Sequence, residues 1–306
     1  DVKALVMYNF ESSRGWLDRC SPDLVSAIEV VHGDVRDSGG VDQMVRGIDA
    51  IVHLAALIGI PYSYVAPGSY VETNVIGTLN LLQAARRFEV QHFVHTSTSE
   101  VYGSAQYAPI DESHPIQAQS PYAASKVAAD QLALSYWRSF ETPVTVLRPF
   151  NTYGPRQSLR AVIPTIIAQL MNGSGKVNLG STAPSRDLTY VSDTVNAFIA
   201  AIDKPAGFGE VMNLGTSSEV SVAELVDIIA GLMGCDYEIC VESERVRPEA
   251  SEVNRLLSNN EKARRILGWE PELSGKQGLI TGLRRTIEWF EANGMRQSDH
   301  GSRYVV

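Results

Sequence analysis

Tyr122 and Lys126 stand four residues apart in the run SPYAASK. On a helix, positions i and i+4 share a face, so this spacing brings a phenol and an ammonium toward one small volume. A phenol titrates near 10, and a neighbouring cation favours its phenolate. Bringing that value to about 7 takes about 4 kcal/mol of preferential anion stabilisation. A phenolate so tuned is a base for the proton of an alcohol. Upstream, TSTSEVYG (96–103) follows the apolar run HFVHTS (92–97) and sets the hydroxyl of Thr98 at a strand's carboxyl end.

The elements that must position these groups are legible as alternating patterns. VKALVMY (2–8), IEVVHG (28–33), DAIVHLA (49–55), HFVHTS (92–97) and PVTVLRPF (143–150) are continuous apolar runs, the pattern of strands buried on both faces. Between them lie helical patterns at GVDQMVRGI (40–48), YVETNVIGTLNLLQAARRF (70–88) and YAASKVAADQLALSYWRSF (122–140). This alternation predicts an α/β fold, a doubly wound parallel sheet with a smaller α/β unit at its carboxyl edge. After Pro149 the chain becomes patchier and richer in Gly and Pro. DTVNAFIAAI (193–202) and EVMNLG (210–215) read as a helix and strand returning to the main sheet. The division expected is 1–152 with about 188–215 for the dinucleotide unit, and about 153–187 with 216–295 for the substrate unit.

The 306 residues carry 26 basic and 35 acidic side chains, a net charge of −9. An acidic surface disfavours a phosphate-backbone scaffold, so nucleic acid is not an expected partner. Three cysteines without a C-x-x-C pair fit a reducing compartment, and the first residues, DVKALVMYNF, do not read as a signal peptide. With no run approaching a membrane span, the expectation is a cytoplasmic protein. The six histidines show no metal-ligand spacing, so no metal is expected.

HLAAL (53–57), SEVYG (99–103), SPYAASK (120–126), LRPFNTYGPRQ (147–157), SRDLTYVSDT (185–194) and RPEASEV (247–253) occur in order and span most of the chain. Together they resemble the extended short-chain dehydrogenases/reductases, the NAD-dependent epimerase/dehydratase family. RPFNTYGPRQS with AVIPTII resembles the sugar-nucleotide 4,6-dehydratases, most closely the legionaminic-acid-type N-acetylglucosamine 4,6-dehydratase. The resemblance implies a Rossmann-like fold, NAD, and internal hydride transfer on a nucleoside-diphosphate sugar that feeds polysaccharide biosynthesis. It also implies a homodimer through helices 70–88 and 122–140.

The same resemblance makes Thr98 the catalytic hydroxyl, Tyr122 the base and Lys126 its cationic support. Glu100 falls where a dehydratase carries the carboxylate that acts at C5 and C6. The usual dehydratase pair is Asp-Glu, whereas this chain has Ser99-Glu100, so Glu100 is expected to serve as both C5 base and C6 acid. For the cofactor, Asp34 matches an adenine contact, Val35 a backbone contact, Ala55, Ala56 and Leu57 close backbone near phosphate and ribose, and Asn74 an asparagine beneath the cofactor. Tyr122 and Lys126 also belong to that set. Met7–Phe10 stand where a ribose-binding acid is expected, and Arg14, close behind, leaves NADP open. Arg186 and Arg247 match diphosphate-binding positions, Asn151 a sugar-phosphate contact, and Arg156 and Ser99 are further substrate-side candidates. A 4-epimerase is the alternative within the family; a non-catalytic nucleotide-sugar-binding protein is the alternative outside catalysis.

No Gly-rich turn follows the first strand-like run, although a dinucleotide fold seats pyrophosphate on one. DVKALVMYNF reads as the second strand of such a unit, with roughly 25–30 residues, one strand, turn and helix, expected before it.

Overall fold

The computed structural model describes residues 1–294 of the chain; position 295, the end of the expected substrate unit, lies outside them. Ala50–His53, His92–Thr96, Val144–Pro149 and Val211–Leu214 form a four-stranded parallel sheet in that order. Val2–Met7 and Ile28–Gly33 form a separate two-stranded parallel ladder.

Successive residues on the central strands feed different cores, as the two-residue period of a strand requires. Phe93, Val144 and Val146 pack with Val41, Leu82, Ala85 and Ala133, from the helices Ser38–Val45, Gly77–Arg87 and Pro121–Phe140. Val94 and Leu147 pack instead with Ala197, Phe198, Ala263 and Trp269. Those belong to the helices Val191–Ile202 and Glu261–Leu267 and the turn after them. The expected return of 193–202 and 210–215 to the main sheet is therefore observed. The expectation of strands buried on both faces holds at His92–Thr96 and Val144–Pro149, but not at Ala50–His53, where Val52 is exposed, nor at Ile28–Gly33, where Glu29 and His32 are exposed.

It does not hold at Val2–Met7, where Val2 and Met7 are largely exposed. This strand carries a ladder on one edge only among the described residues, and fewer layers cover it. The long expected helix 70–88 also differs. It opens as Pro67–Tyr70, passes through a π-helical turn at Val71–Ile76, and becomes regular at Gly77–Arg87. Such π turns recur at functional sites because they re-aim a side chain, here Asn74.

The second sheet centres on Ser185–Tyr190. It pairs parallel with Asn151–Tyr153 and Arg255–Leu256, and antiparallel with Glu219–Ser221. A further parallel pair, Lys176–Leu179 with Glu238–Val241, lies near the helices Val162–Met171 and Val222–Met233. Among the described residues no helix is long and apolar enough to cross a membrane.

Candidate active site

The helix that carries the phenol and ammonium begins cleanly. Ser120 accepts a hydrogen bond from the Ala123 amide at 3.1 Å, and Pro121 occupies the first helical position, where its missing N–H costs nothing. Tyr122 and Lys126 are both buried on this helix. Opposite them, His92–Thr96 ends in an extended Thr98 whose hydroxyl accepts from the Glu100 amide at 3.2 Å, capping the 3₁₀ turn Ser99–Tyr102. Gly103 closes that turn at a φ of +65°, and a Cβ there would stand 2.3 Å from the Gln117 carbonyl. Only glycine fits the reversal that ends SEVYG.

The Thr98 side chain stands near enough to the Tyr122 phenol to favour its ionised form. Lys126 is placed differently from the expectation that it faces the phenol: its Nζ donates to the Thr96 carbonyl at 2.6 Å. Burial pulls this ammonium down to about 8, partly offset by Asp130. Burial also holds the Tyr122 phenol above its ordinary value; the neighbouring Thr98 side chain lowers it, and the charge of Glu100 raises it. The protein groups alone thus leave the phenol protonated at neutral pH, and an added positive charge is required before it can act as a base. Tyr70 stands edge-on to Tyr122, with ring centroids 6.3 Å apart. Its hydroxyl donates to the Gly59 carbonyl.

The cofactor candidates lie at the carboxyl ends of parallel strands, where doubly wound sheets bind dinucleotides. Ala55 is exposed there, Ala56 and Leu57 half-buried. Asn74 holds the Leu57 amide and carbonyl and also donates to Ser125 at 2.9 Å. Ser125 in turn donates to the Tyr122 carbonyl at 2.7 Å, so the strand-end loop and the helix Pro121–Phe140 are hydrogen-bonded as one unit. Asp34 follows Ile28–Gly33 but is engaged by Arg36 at 2.6 Å, and this pairing lowers its carboxyl. The Val35 side chain is buried and its carbonyl accepts from Asn80 at 3.0 Å. Arg14, which left NADP open, is paired with Asp18 at 2.8 Å. The exposed strand-end backbone and the clamped loop fit a dinucleotide.

On the substrate side the structure brings Arg186 and Arg247 together around one carboxylate. Glu252 Oε1 lies 3.5 Å from Arg186 and 3.7 Å from Arg247. Burial lowers the Arg186 guanidinium, while the charge of Glu100 offsets this. The Asn151 side-chain oxygen is buried without a hydrogen-bond partner, as is that of Gln157 nearby in sequence. Ser99 is buried. Arg156 is exposed, with its guanidinium over the Trp289 ring at 5.8 Å. Sequence reasoning missed Ser125, Glu252 and Tyr70, and above all Asp130, which sits one turn after Lys126. The i, i+4 spacing that found Lys126 would also have found Asp130.

Comparisons with known proteins agree with this geometry. The chain matches the GDP-mannose 4,6 dehydratase family over residues 1–281. It is 34% identical over 268 residues to the human dTDP-D-glucose 4,6-dehydratase, covering 86% of this chain and 75% of the relative. Its fold is similar to that of DesIV, the dTDP-glucose 4,6-dehydratase from Streptomyces venezuelae crystallised with NAD bound. That match has a TM-score of 0.83, 32% identity, and coverage of 94% of this chain and 87% of DesIV. The UDP-N-acetylglucosamine 4-epimerase from Methanobrevibacter ruminantium M1 matches with a TM-score of 0.82, 25% identity, and coverage of 94% and 90%. The strand-end Thr98, the Tyr122-x-x-x-Lys126 helix and these similarities make the chain a member of the GDP-mannose 4,6 dehydratase family, among the extended short-chain dehydrogenases/reductases that act on nucleotide sugars.

Proposed function

We propose that the chain catalyses the 4,6-dehydration of a nucleoside-diphosphate hexose, with N-acetylglucosamine as the sugar and a 4-keto-6-deoxy sugar as the product. The observation that carries this reading is Glu100. It lies two residues beyond Thr98 on the same turn, with its charge bearing on Tyr122 on one side and Arg186 on the other. A 4-epimerase needs proton transfer only at the 4-hydroxyl, whereas dehydration needs a further acid–base group over C5 and C6.

Tyr122 accepts the proton of the 4-hydroxyl, with Thr98 bridging. Bound NAD, held by the Ala55–Leu57 backbone, Asn74, Tyr122 and Lys126, with Asp34 and Val35 toward its adenine, would supply the hydride acceptor for C4, the donor for C6, and the positive charge that Tyr122 lacks. The 4-keto group acidifies H5, and Glu100 takes that proton. Glu100 then returns it to the departing 6-hydroxyl, so water leaves and C5 and C6 become doubly bonded; the reduction at C6 that the bound cofactor would supply is balanced by a solvent proton that Glu100 delivers to C5. Ser99 is a poor acid, which leaves both transfers to Glu100. Arg186, Arg247 and Asn151 hold the diphosphate end through charge-assisted bonds; Arg156 contributes at the rim.

We also assign the protein to the cytoplasm as a homodimer. Exposed Val71, Ile76 and Phe140 on the elements spanning 70–88 and 122–140 support that interface. The test is incubation with dTDP-, UDP- and GDP-hexoses, including the N-acetylglucosamine forms, followed by NMR of the products. A 4-keto-6-deoxy sugar is expected. Interconversion of C4 epimers without loss of water would replace this reading with the epimerase one, and tight binding without turnover would leave a non-catalytic binder.

A further inference from the structure

Beneath the reacting face lies a fully buried carboxylate that the mechanism above does not use. Asp130 Oδ2 accepts from Ser97 Oγ at 2.8 Å and from Arg148 Nε and Nη2 at 3.1 and 2.9 Å. His95 Nε2 lies 3.3 Å from the other carboxylate oxygen, and both side chains have no exposure. Arg148 Nη1 continues to the Tyr102 hydroxyl at 2.9 Å, which donates to Asn213 Oδ1 at 2.8 Å. Burial and the charge of Lys126 push the His95 imidazole down, which keeps it neutral. One anion therefore faces two buried cations, Arg148 in contact and Lys126 one helical turn away.

The geometry has a second consequence. Lys126 donates to the Thr96 carbonyl and Asp130 accepts from Ser97, so two adjacent residues of one strand end are tied to two successive turns of one helix. Thr98 follows directly. The charged and titratable groups around Lys126 are Tyr122 and Asp130 on its own helix, His53 and His95 on the neighbouring strands, Arg148 beyond them and Glu100 on the turn. Of these, Asp130 opposes the loss of the ammonium's proton to burial.

We propose that Asp130 is a positioning residue: it is the buried counter-ion of Lys126, and through Ser97 it fixes the strand end that presents Thr98 to Tyr122. The inference builds on the reading of Tyr122 as the base, but its main test needs no nucleotide sugar and so stands apart from that reading. The chain has six lysines, so 13C-labelled lysine gives few NMR resonances, and that of Lys126 is identified by its loss in Lys126→Met. In Asp130→Asn the Lys126 titration is expected at least about one pH unit lower than in the wild type, a tenfold weaker hold on its proton. Asp130→Glu is expected to restore it. An unshifted titration in folded Asp130→Asn overturns the counter-ion role.

Because Asp130→Asn strands the Arg148 charge, it can fail to fold. The comparison of Arg148→Met with Asp130→Asn/Arg148→Met, which leaves no unpaired guanidinium, then reads the same shift. Ser97→Ala tests the clamp: kcat for the sugar product is expected to fall about tenfold with KM and the Lys126 titration unchanged. An unchanged kcat overturns that half.

Discussion

Asn74 grips Leu57 by both of its backbone groups, accepting from the amide at 2.8 Å and donating to the carbonyl at 2.9 Å. A side-chain amide thus substitutes for a ladder partner where the strand Ala50–His53 has ended. The same buried amide donates to Ser125 on the helix that carries Tyr122 and Lys126. Asn74→Ala strands polar groups that are part-buried to fully buried, at an expected cost of about 2–3 kcal/mol. The melting temperature is expected to fall, and less dinucleotide should copurify. A variant that melts as the wild type does and retains its dinucleotide would show that this clamp organises nothing.

Glu100→Gln keeps the shape and the backbone hydrogen bond to Thr98 but removes the base. Loss of one general acid–base group lowers turnover on the order of 10²–10³-fold. In deuterated water the wild type is expected to place deuterium at C5 of the product, and the variant to lose that exchange along with product formation. Undiminished formation of a 4-keto-6-deoxy sugar would assign the C5 proton to another group.

How much of this was legible beforehand follows the range of each interaction. Tyr122 and Lys126 could be read because helical spacing is local, and the central strands because continuous apolar runs report burial on both sides. The Asp130–Arg148 pair could not be read, since it forms only when the helix Pro121–Phe140 packs on the strand Val144–Pro149. Glu252 was invisible for the same reason: it reaches Arg186 across 66 positions of chain, once Arg255–Leu256 pairs with Ser185–Tyr190. The π turn at Asn74 leaves no periodic trace, since one turn of wider pitch hardly shifts the apolar pattern. Lys126 was expected to face the Tyr122 phenol and donates to the Thr96 carbonyl instead, because the spacing fixes a face of the helix and not the acceptor at the tip of a long side chain.

Glu252 stands between Arg186 and Arg247, with one oxygen 3.5 and 3.7 Å from the two guanidiniums. A nucleoside diphosphate would compete with that carboxylate for the same donors. Arg186→Ala and Arg247→Ala are each expected to weaken nucleoside-diphosphate binding about ten- to a hundredfold, the range of a charge-assisted hydrogen bond. Glu252→Gln is expected to tighten it severalfold and to steepen its dependence on salt. Isothermal titration with the free nucleoside diphosphate measures all three; weaker binding in Glu252→Gln would make the carboxylate a ligand and not a competitor.

Lys126 gives the fold a pH signature that can be read without substrate. Its folded-state value, about 8, lies below the 10.5 of an unfolded chain. Between these values the unfolded state binds more protons, so the Lys126 contribution to stability rises with pH across that window and is flat outside it. Below about 8 the buried ammonium costs the fold its full penalty; above 10.5 the amine is neutral in both states and the penalty is gone. The span corresponds to about 3 kcal/mol. Lys126→Met removes the titration together with the hydrogen bond to Thr96, whose cost does not vary with pH. Chemical denaturation of both proteins is expected to show the wild type gaining on the variant by roughly that amount between pH 8 and 10.5. Parallel curves across this range would mean that the Lys126 ammonium is as well supported in the folded protein as in water.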